Sequence, residues 1–515
     1  MIPKSLLALL LAAGAVLPAA AQSIARVSLN ADIRSTHPGV NRDDNTDAVV
    51  LHMVEGLVAY REDASVGPLL ADRVDVSADG LSYTFRLRDG IKFHNGATLS
   101  AGDVVWTWKH YLDPRTGWRC LPEFDEKGRQ KIESVTAPDA RTVVFKLAKP
   151  SALLLSTMAR TDCGGSGIVH RDSMAADGSW KNPIGTGPFR LKEWKRGEYV
   201  LLERFPEYSS RSDPMTGYTG RKQALVDQVR FMVVPDMSAA RSGLLAGSID
   251  VMSTSSAQEF KELSGNAKVV PISAPSATMQ VLLFQTRDPL LSNVKLRQAI
   301  AAAIDTAEIA TAVTEGRAGR NNSVVATASP YYGAVQKQGL VFDPNRAKAL
   351  LREAGYKGQP IKLITNKRYA EDYDVAILAQ SMLQAAGVVV ELEVMEWASQ
   401  LDRYSKGNYQ MMAFGYSSRL DPALAYDAVM GSKERSPNKA WDNPEAQALL
   451  AKSFVSADPK ERQAVFDELH RRMLAEVPLI MVFNRSDYAA HGRNVTGFKA
   501  WVTGKPRLWD VKVAR

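Results

Sequence analysis

One segment, residues 78–114, constrains the fold of this chain more than any other part of the sequence. It reads ADGLSYTFRLRDGIKFHNGATLSAGDVVWTWKHYLDP. Three dipeptides that tolerate positive φ divide it into short pieces: Asp79-Gly80, Asp89-Gly90 and Asn95-Gly96. Apolar and polar residues alternate from Tyr83 to Arg88, which predicts a strand whose hairpin partner carries Ile91 and Phe93. Ser100, three residues before Asp103, then predicts a capped helix directly after the hairpin.

The second half of the chain alternates between helix and strand patterns. Asp343-Pro344 supplies an N-cap and a first-turn proline for a helix that ends at Gly355. A strand over 361–365, a helix over 372–386 and an apolar strand over 388–394 follow. A strand, a helix and a second strand in this order predict a parallel strand pair. A chain of 515 residues with such patterns is expected to be an α/β protein of two or three lobes.

Several further motifs occur in a fixed order along the chain. They are Glu55-Gly56-Leu57, Pro68 to Ala71, Pro183 to Phe189, Val234-Pro235-Asp236, Leu244 to Asp250, and Leu296 to Ile300 followed by Asp305. Together with residues 78–114, they resemble the family 5 solute-binding proteins, which are receptors of ABC importers for dipeptides, oligopeptides, nickel and opine-like solutes. The resemblance implies a two-lobed periplasmic-binding-protein type II fold with an extra N-terminal subdomain and two hinge strands between the lobes.

The resemblance also implies how the chain divides. Lobe I is expected to comprise residues 22–280 and 485–515, with a subdomain at about 45–175, and lobe II to comprise residues 281–484. The ligand is expected in the cleft between the lobes, and closure around it is the signal that a membrane-embedded ABC permease recognises.

The first 21 residues read as a secretory signal peptide. Lys4 supplies a charged start, Leu6 to Leu17 an apolar run, and Ala19-Ala20-Ala21 a small-residue cleavage site. The apolar run is shorter than the roughly 20 residues that span a bilayer. Residue 22 is glutamine rather than cysteine, so no lipid anchor is expected. We therefore predict a soluble periplasmic protein.

The charge pattern and the cysteines limit the partners. The formal net charge is +8, yet lysine and arginine are dispersed without basic runs, so we expect no nucleic-acid partner. We expect a monomer whose positive charge helps to collect anionic solutes.

The two cysteines, Cys120 and Cys163, lack C-x-x-C spacing. Metal and redox roles are therefore weaker interpretations than a structural disulfide formed after export.

The sequence carries no catalytic constellation. Its seven histidines show no H-x-x-H, H-x-x-x-H or H-E-x-x-H spacing, and no G-x-S-x-G motif is present. We accordingly expect no enzymatic activity, no cofactor and no metal ligands. A secreted hydrolase remains the alternative outside the binding-protein class, and an additional chemoreceptor partner is compatible with the sequence.

The loop from Phe414 to Pro422 is the best candidate for ligand recognition. It is similar to a family loop in which peptide-binding members place an aspartate against the ligand's α-amino group. Here Ser418 or Arg419 takes that place, and a guanidinium clamps a carboxylate or phosphate rather than an ammonium. We therefore expect a peptide-like or opine-like anionic solute, bound by Tyr416, Ser417, Arg419 and Asp421.

Other candidates rest on weaker signals. Trp118 and Arg160 flank the cysteines in regions that resemble those from which nickel-complex binders contribute a tryptophan and an arginine to the cleft. The same resemblance implies that the segment of Asn45 faces the cleft, and Trp397, just after an apolar strand, is a candidate aromatic wall. Each has an equally plausible structural role, in the core, at the rim or in an ion pair. The alternative within the class is a dipeptide or oligopeptide receptor whose amine partner is Asp421 or an acidic residue near Asp43 and Asp44.

Overall fold

The computed structural model describes residues 22–125 and 130–514, so the predicted signal peptide, residues 1–21, lies outside the described residues. The described chain is a mixed α/β structure. Its strands are β1 (Ile24–Leu29), β2 (Val58–Tyr60), β3 (Val66–Pro68), β4 (Ala71–Val76), β5 (Ser82–Leu87), β6 (Ile132–Thr136), β7 (Thr142–Leu147), β8 (Phe189–Lys195), β9 (Tyr199–Arg204), β10 (Gln228–Val233), β11 (Val251–Ser255), β12 (Val269–Phe284), β13 (Ile361–Thr365), β14 (Val390–Val394), β15 (Met411–Tyr416), β16 (Leu479–Gly492), β17 (Val495–Thr496) and β18 (Lys512–Val513).

The helices alternate with the strands along the chain. They are α1 (Asp44–Val50), α2 (Ala101–Tyr111), α3 (Leu121–Phe124), α4 (Leu154–Met158), α5 (Met237–Ala246), α6 (Ala257–Leu263), α7 (Val294–Ala303), α8 (Thr306–Thr314), α9 (Pro344–Glu353), α10 (Ala370–Ala386), α11 (Trp397–Lys406), α12 (Pro422–Val429), α13 (Pro444–Val455) and α14 (Pro459–Glu476). Short 3-10 helices lie at Pro114–Thr116, Thr161–Ser166 and Arg171–Ser173.

The largest sheet has ten strands in the order β14-β13-β15-β12-β16-β11-β1-β10-β9-β8. Its two central strands, β12 and β16, are antiparallel and unusually long, with 16 and 14 residues. Their first paired stretch joins Val269 to Gly492, and the second begins where Met279 pairs with Asn484. The register shifts between the two stretches, which locally interrupts the ladder. Residues 279–284 of β12 pair with β15, and residues 488–491 of β16 pair with β11. The sheet therefore has one half with β13, β14 and β15 and another half with β1 and β8 to β11, and both long strands pass through the two halves with an irregularity between them.

The segment 78–114 folds partly as its sequence predicts. The capping box forms at the start of α2, because the Asp103 carboxylate accepts from the Ser100 backbone N–H (2.9 Å) and hydroxyl (2.6 Å). The predicted hairpin partner of β5 is wrong. Strand β5 pairs with β4 and β7 in a four-stranded sheet, while the stretch around Ile91 contributes a single bridge from Lys92 to Thr98. Strand β4 pairs with residues 83–87 of β5 and β7 with residues 82–86, whereas the short piece after Asp89-Gly90 forms a single bridge.

The predicted βαβ unit is confirmed. Strands β13 and β14 are parallel, with Ile361 opposite Val390 and Thr365 opposite Val394. Helix α10 connects them and ends at Gly387, whose φ of 94° lies in the left-handed region that favours glycine. The helix begins at Ala370, two residues before the predicted start, because the apolar pattern does not mark its first turn.

Two family-like motifs meet around one buried carboxylate. Glu55, from the Glu55-Gly56-Leu57 motif, accepts hydrogen bonds from the Thr186 hydroxyl (3.2 Å) and the Tyr208 hydroxyl (2.8 Å). The Lys222 ammonium donates to the same carboxylate at 2.8 Å, and both side chains of this ion pair are 1% exposed. The ammonium also lies 4.8 Å from the ring centroid of Trp509. These motifs therefore hold the scaffold together and do not face a cleft.

The two cysteines are joined by a disulfide between α3 and the 3-10 helix Thr161–Ser166. The Cα atoms of Cys120 and Cys163 are 5.5 Å apart, and both residues are fully buried. The bond closes a loop with a sequence separation of 43 residues. It therefore links the start of α3 to the 3-10 helix that directly follows Arg160.

Removing this disulfide is expected to destabilise the protein. Cross-linking a loop of this length stabilises a fold by about 2–4 kcal/mol, so a Cys120→Ala/Cys163→Ala variant should lose that amount. Urea unfolding followed by tryptophan fluorescence measures the loss. A reductant should move the unfolding midpoint of the parent protein toward that of the variant and leave the variant itself unchanged. Equal midpoints for the oxidised parent and the variant would contradict the expectation.

Candidate functional site

A cavity of about 520 Å³ lies where the two halves of the ten-stranded sheet meet. From one half it is lined by helix α1, the turn at Thr161 and Asp162, and the loop at residues 503–506. From the other half it is lined by residues 415–419, Trp397 and Tyr369. Thr278 and Arg485 lie beside the register shift of β12 and β16 and line the cavity as well. A cavity of about 620 Å³ near Lys433 is larger, but only the β13–β15 side of the molecule contributes to it.

The predicted recognition loop is at this cavity. Strand β15 ends at Tyr416, and Tyr416, Ser417 and Arg419 all line the cavity. The Tyr416 hydroxyl accepts from the Tyr404 hydroxyl at 3.0 Å, which fixes the ring in place. Burial raises the pKa of Tyr416 well above its usual value, so this side chain stays neutral. The loop therefore offers a neutral aromatic, hydroxyl groups and one guanidinium.

The guanidinium of Arg419 lacks a carboxylate partner within residues 22–125 and 130–514. Its Nη1 donates to the backbone carbonyl oxygens of Ser417 (3.4 Å) and Ser418 (3.1 Å). Burial lowers the pKa of Arg419, and the neighbouring charge of Arg160 lowers it further. A cation withdrawn from water without an anion is costly, so this group is poised to receive one.

Arg160, in contrast, is already paired. Its guanidinium donates to Asp162 (3.0 and 2.7 Å) and to Glu123 (2.6 Å), although it also lines a small side cavity of about 50 Å³ next to Arg419. The structure places Trp118 away from the cleft. Trp118 is 2% exposed and stacks on Phe124, because its indole completes the aromatic core. Its neighbour Arg119 reaches the cavity instead.

The remaining predicted residues divide between cavity and scaffold. Trp397 and Asn45 line the cavity, and the Trp397 ring stacks on Phe414 at 5.6 Å between centroids. Asp421 does not line it. Its carboxylate caps helix α12 by accepting from the Ala423 backbone N–H (2.9 Å) and also accepts from Arg462 (2.6 Å). The helix-cap interpretation of Asp421 is therefore the one that its contacts support.

Sequence reasoning missed an ionic network on helix α1. The carboxylate of Asp44 lies 3.0 Å from Arg42 and 3.0 Å from Lys505, and Asp47 accepts from the same Arg42. Burial raises the pKa of Asp47 to about 7, while Arg42 and Lys505 oppose that rise. The acidic residue Asp43 caps the helix by accepting from the Thr46 backbone N–H (2.8 Å). None of these three carboxylates is free.

A second missed group lies on the opposite half of the cavity. Arg485 donates to the Asp372 carboxylate (2.7 Å) and to the Gln280 side-chain oxygen (2.9 Å). Burial raises the pKa of Asp372, and the charge of Arg485 opposes the rise. A Cβ on Gly415 would lie 2.8 Å from the guanidinium, so a side chain at this position would require Arg485 to shift. The ion pair with Asp372 holds the Arg485 side chain in place at the point where the register of β12 and β16 shifts.

Asp487 differs from every other carboxylate at the cavity. It lies on β16 opposite Ala274, and no hydrogen-bond donor or cation of the described chain lies within bonding distance of its oxygens. Burial, with a smaller contribution from the charge of Asp44, raises the pKa of Asp487 to about 7, although the charge of Lys505 opposes the rise. The free carboxylate lies against Gly504, where an added Cβ would be 3.0 Å from its oxygens.

Replacing Asp487 by asparagine is expected to stabilise the unliganded protein in a pH-dependent manner. A carboxyl whose pKa is raised in the folded state opposes folding once the pH exceeds its unfolded-state pKa, near 4, and the effect levels off above about 7. The variant should therefore gain up to about 4 kcal/mol over the parent at pH 8 and almost nothing at pH 4. Denaturant unfolding at both pH values measures the difference. An equal gain at both pH values would contradict the assignment of the raised pKa to Asp487.

One signal in the sequence could have identified this group. The segment LIMVFNRSDYAAHG forms β16, and its run of buried residues is interrupted by Arg485, Ser486 and Asp487. Charged residues in the middle of a buried strand are costly unless they are paired or functional. The interruption coincides with the cavity.

Comparisons with known proteins agree with this architecture. A sequence model of the bacterial extracellular solute-binding proteins, family 5 Middle, matches residues 65–437. The oligopeptide-binding protein AppA of Bacillus subtilis (strain 168) is 26% identical over 490 residues, covering 89% of this chain and 85% of AppA. Within the described part of this chain, no helix is both long and apolar enough to cross a membrane.

Solved structures share the fold. HbpA2 from Haemophilus parasuis superposes with a TM-score of 0.82 at 23% identity, covering 96% of this chain and 100% of that chain. The binding protein AgaA from A. tumefaciens R10, in complex with agropinic acid, superposes with a TM-score of 0.74 at 24% identity, covering 96% of this chain and 99% of that chain. The predicted periplasmic-binding-protein type II fold is therefore confirmed.

Proposed function

The chain belongs to the bacterial extracellular solute-binding proteins, family 5, and on that premise we propose that it captures a peptide-like or opine-like anionic solute for an ABC importer. The observation that carries this proposal is the guanidinium of Arg419, which faces a cavity between the two halves of the sheet without a carboxylate partner in the described chain. A carboxylate of the ligand would accept two parallel hydrogen bonds from it. The cavity volume of about 520 Å³ falls in the range of small-molecule sites.

The binding step would close two lobes around the solute. Lobe I comprises residues 22–280 and 485–515, and lobe II comprises residues 281–484. The register shift of β12 and β16 supports a hinge at this boundary, because an interrupted ladder bends more easily than a regular one. Thr278 and Arg485 lie at this point and line the cavity, so the ligand would contact the hinge directly.

An ordinary dipeptide or oligopeptide mode is the alternative within the class. It is supported by the similarity to AppA, an oligopeptide-binding protein. The acidic residues expected to receive the peptide amine are all engaged, however, because Asp421 and Asp43 cap helices and Asp44 is paired with Arg42 and Lys505. The aromatic wall formed by Trp397 and Tyr416 suits either ligand class.

The proposed cellular setting follows from the same class. A protein with a signal peptide at 1–21 and glutamine at position 22 would be released into the periplasm without a lipid anchor. Its partner would be the membrane-embedded permease, which would bind the conformation in which the two lobes are closed around the solute. The protein would release the solute chemically unchanged, since it acts as a receptor.

Calorimetry on dialysed protein tests the proposal. The panel contains dipeptides, opines, amino-acid conjugates and chelated metal complexes, and mass spectrometry records each compound before and after incubation. We expect at least one carboxylate-bearing compound to bind with one-to-one stoichiometry and to be recovered intact. Absence of binding across the panel would refute the receptor function, and conversion of a bound compound would instead indicate a hydrolase.

A further inference from the structure

Among the described charged groups that line the cavity, one carboxylate and two guanidinium groups lack an ion-pair partner. Four carboxylates at the cavity already have cationic partners: Asp44 with Arg42 and Lys505, Asp47 with Arg42, Asp162 with Arg160, and Asp372 with Arg485. Asp487 alone among the described carboxylates of the cavity accepts no hydrogen bond. Arg419 donates only to backbone carbonyl groups. The described cavity thus presents one unpaired carboxylate, Asp487, and two guanidinium groups without a carboxylate partner, Arg119 and Arg419, beside a neutral aromatic wall.

Asp487 and Arg419 line the same cavity. Thr503 lines both the main cavity and the side cavity that contains Arg419, and the next residue, Gly504, lies against the Asp487 carboxylate. Consecutive Cα atoms are about 3.8 Å apart, so Thr503 beside Arg419 and Gly504 beside Asp487 are separated by only a short distance. Asp487 itself belongs to lobe I, and Arg419 belongs to the loop after β15 in lobe II. A solute that bridges them would hold the lobes together.

Within the described residues, the neighbours of Asp487 leave its carboxylate without a partner. Lys505 is the cation whose charge acts on Asp487, but its ammonium is 3.0 Å from Asp44. Asp44 adds negative charge to the same region. A cation brought by a ligand would therefore be attracted to this position, and an additional anion would be repelled.

We propose that the cleft selects amphoteric solutes, with a carboxylate bound by Arg419 and a cationic nitrogen bound by Asp487. This inference rests on the proposed receptor function and specifies its substrate class. The amine partner comes from the central strand β16 and not from the loop at residues 414–422, whose aspartate is a helix cap. Solutes that carry only carboxylates would leave Asp487 unpaired. N-acylated solutes would do the same, because acylation removes the positive charge of the amine.

Matched probes and variants test the inference. The probes are acidic dipeptides and N-carboxyalkyl amino acids with a free amine, the N-acetyl derivatives of the same dipeptides, and the dicarboxylates succinate and glutarate. Calorimetry at pH 8 is performed on the parent, on Asp487→Asn, on the charge-conserving Asp487→Glu, and on Arg419→Ala. We expect a probe with a free amine to bind the parent and its N-acetyl derivative to bind about 100-fold more weakly.

The variant series separates a direct contact from a structural effect. Asp487→Asn should weaken the free-amine probe about 30-fold or more and leave the already weak N-acetyl probe unchanged, while Asp487→Glu should recover part of the affinity. Binding to the parent should strengthen from pH 6 to pH 8 as Asp487 loses its proton, and this dependence should vanish in Asp487→Asn. Circular dichroism confirms that each variant is folded.

The outcomes distinguish this inference from the proposed function. If dicarboxylates or N-acetyl probes bind as tightly as free-amine probes, and Arg419→Ala abolishes that binding, the receptor function stands and the amphoteric class is wrong. Unchanged binding of the free-amine probe to Asp487→Asn would also overturn it. If no probe of any class binds the parent, the receptor function and the substrate class both fail.

Discussion

Replacing Lys222 by methionine is expected to destabilise the protein by about 3–5 kcal/mol, because the change leaves a buried carboxylate without its cation. Glu55 and Lys222 are each 1% exposed, and their charged atoms are 2.8 Å apart. The Thr186 and Tyr208 hydroxyl groups would still donate to Glu55, but neutral donors do not balance a buried negative charge. Urea unfolding at pH 7 measures the loss.

A double variant and a surface control sharpen this experiment. Glu55→Gln/Lys222→Met removes both charges and should recover at least about 1–2 kcal/mol relative to the single variant. Lys295→Met breaks an ion pair with Glu353 in which both side chains are about half exposed, and it should cost less than about 1 kcal/mol. A Lys222→Met variant as stable as Lys295→Met would show that the buried pair does not hold these motifs together.

Replacing Arg419 by alanine is expected to weaken the binding of a carboxylate-bearing solute by about 100-fold. Charge-assisted hydrogen bonds in a desolvated site contribute about 1.5–3 kcal/mol each, and alanine can form none of them. Protein stability should be unchanged or increased, because the partly buried guanidinium has only backbone partners. Calorimetry of the parent and the variant with the same bound solute measures the loss.

Two further variants identify the role of the guanidinium. Arg419→Lys keeps the charge but not the planar fork, so it should recover only part of the lost affinity. Arg352→Ala, an exposed arginine on α9 far from the cavity, should bind like the parent. An Arg419→Ala variant that binds the solute as tightly as the parent would remove this residue from the site.

The scaffold could be predicted from the sequence where local signals determine the structure. The Ser100 cap, the parallel strands around α10 and the glycine that ends this helix each depend on residues a few positions apart. The partner of β5 could not be predicted in this way. Strands β4 and β7 have patterns as compatible as the stretch after Asp89-Gly90, and only tertiary packing selects between them.

The candidate site was predictable only in part, because its properties depend on which charges are paired. Arg160 and Arg419 read alike in the sequence, yet one is held by Asp162 and Glu123 and the other has only carbonyl partners. Asp421 before Pro422 is equally typical of a ligand contact and of a helix cap. The free carboxylate of Asp487 is evident only once the distant Lys505 is seen to be paired with Asp44.

Native mass spectrometry of freshly isolated protein tests the central claim most directly. If the cleft captures an amphoteric organic solute, the folded protein should carry a small adduct that is released on denaturation and contains both a carboxyl group and a basic nitrogen. The adduct should be absent from an Arg419→Ala/Asp487→Asn variant isolated in parallel and should rebind to the emptied parent with one-to-one stoichiometry. An adduct that persists in the variant, or an emptied parent that rebinds neither its own extract nor any probe with a free amine and a carboxylate, would contradict the account.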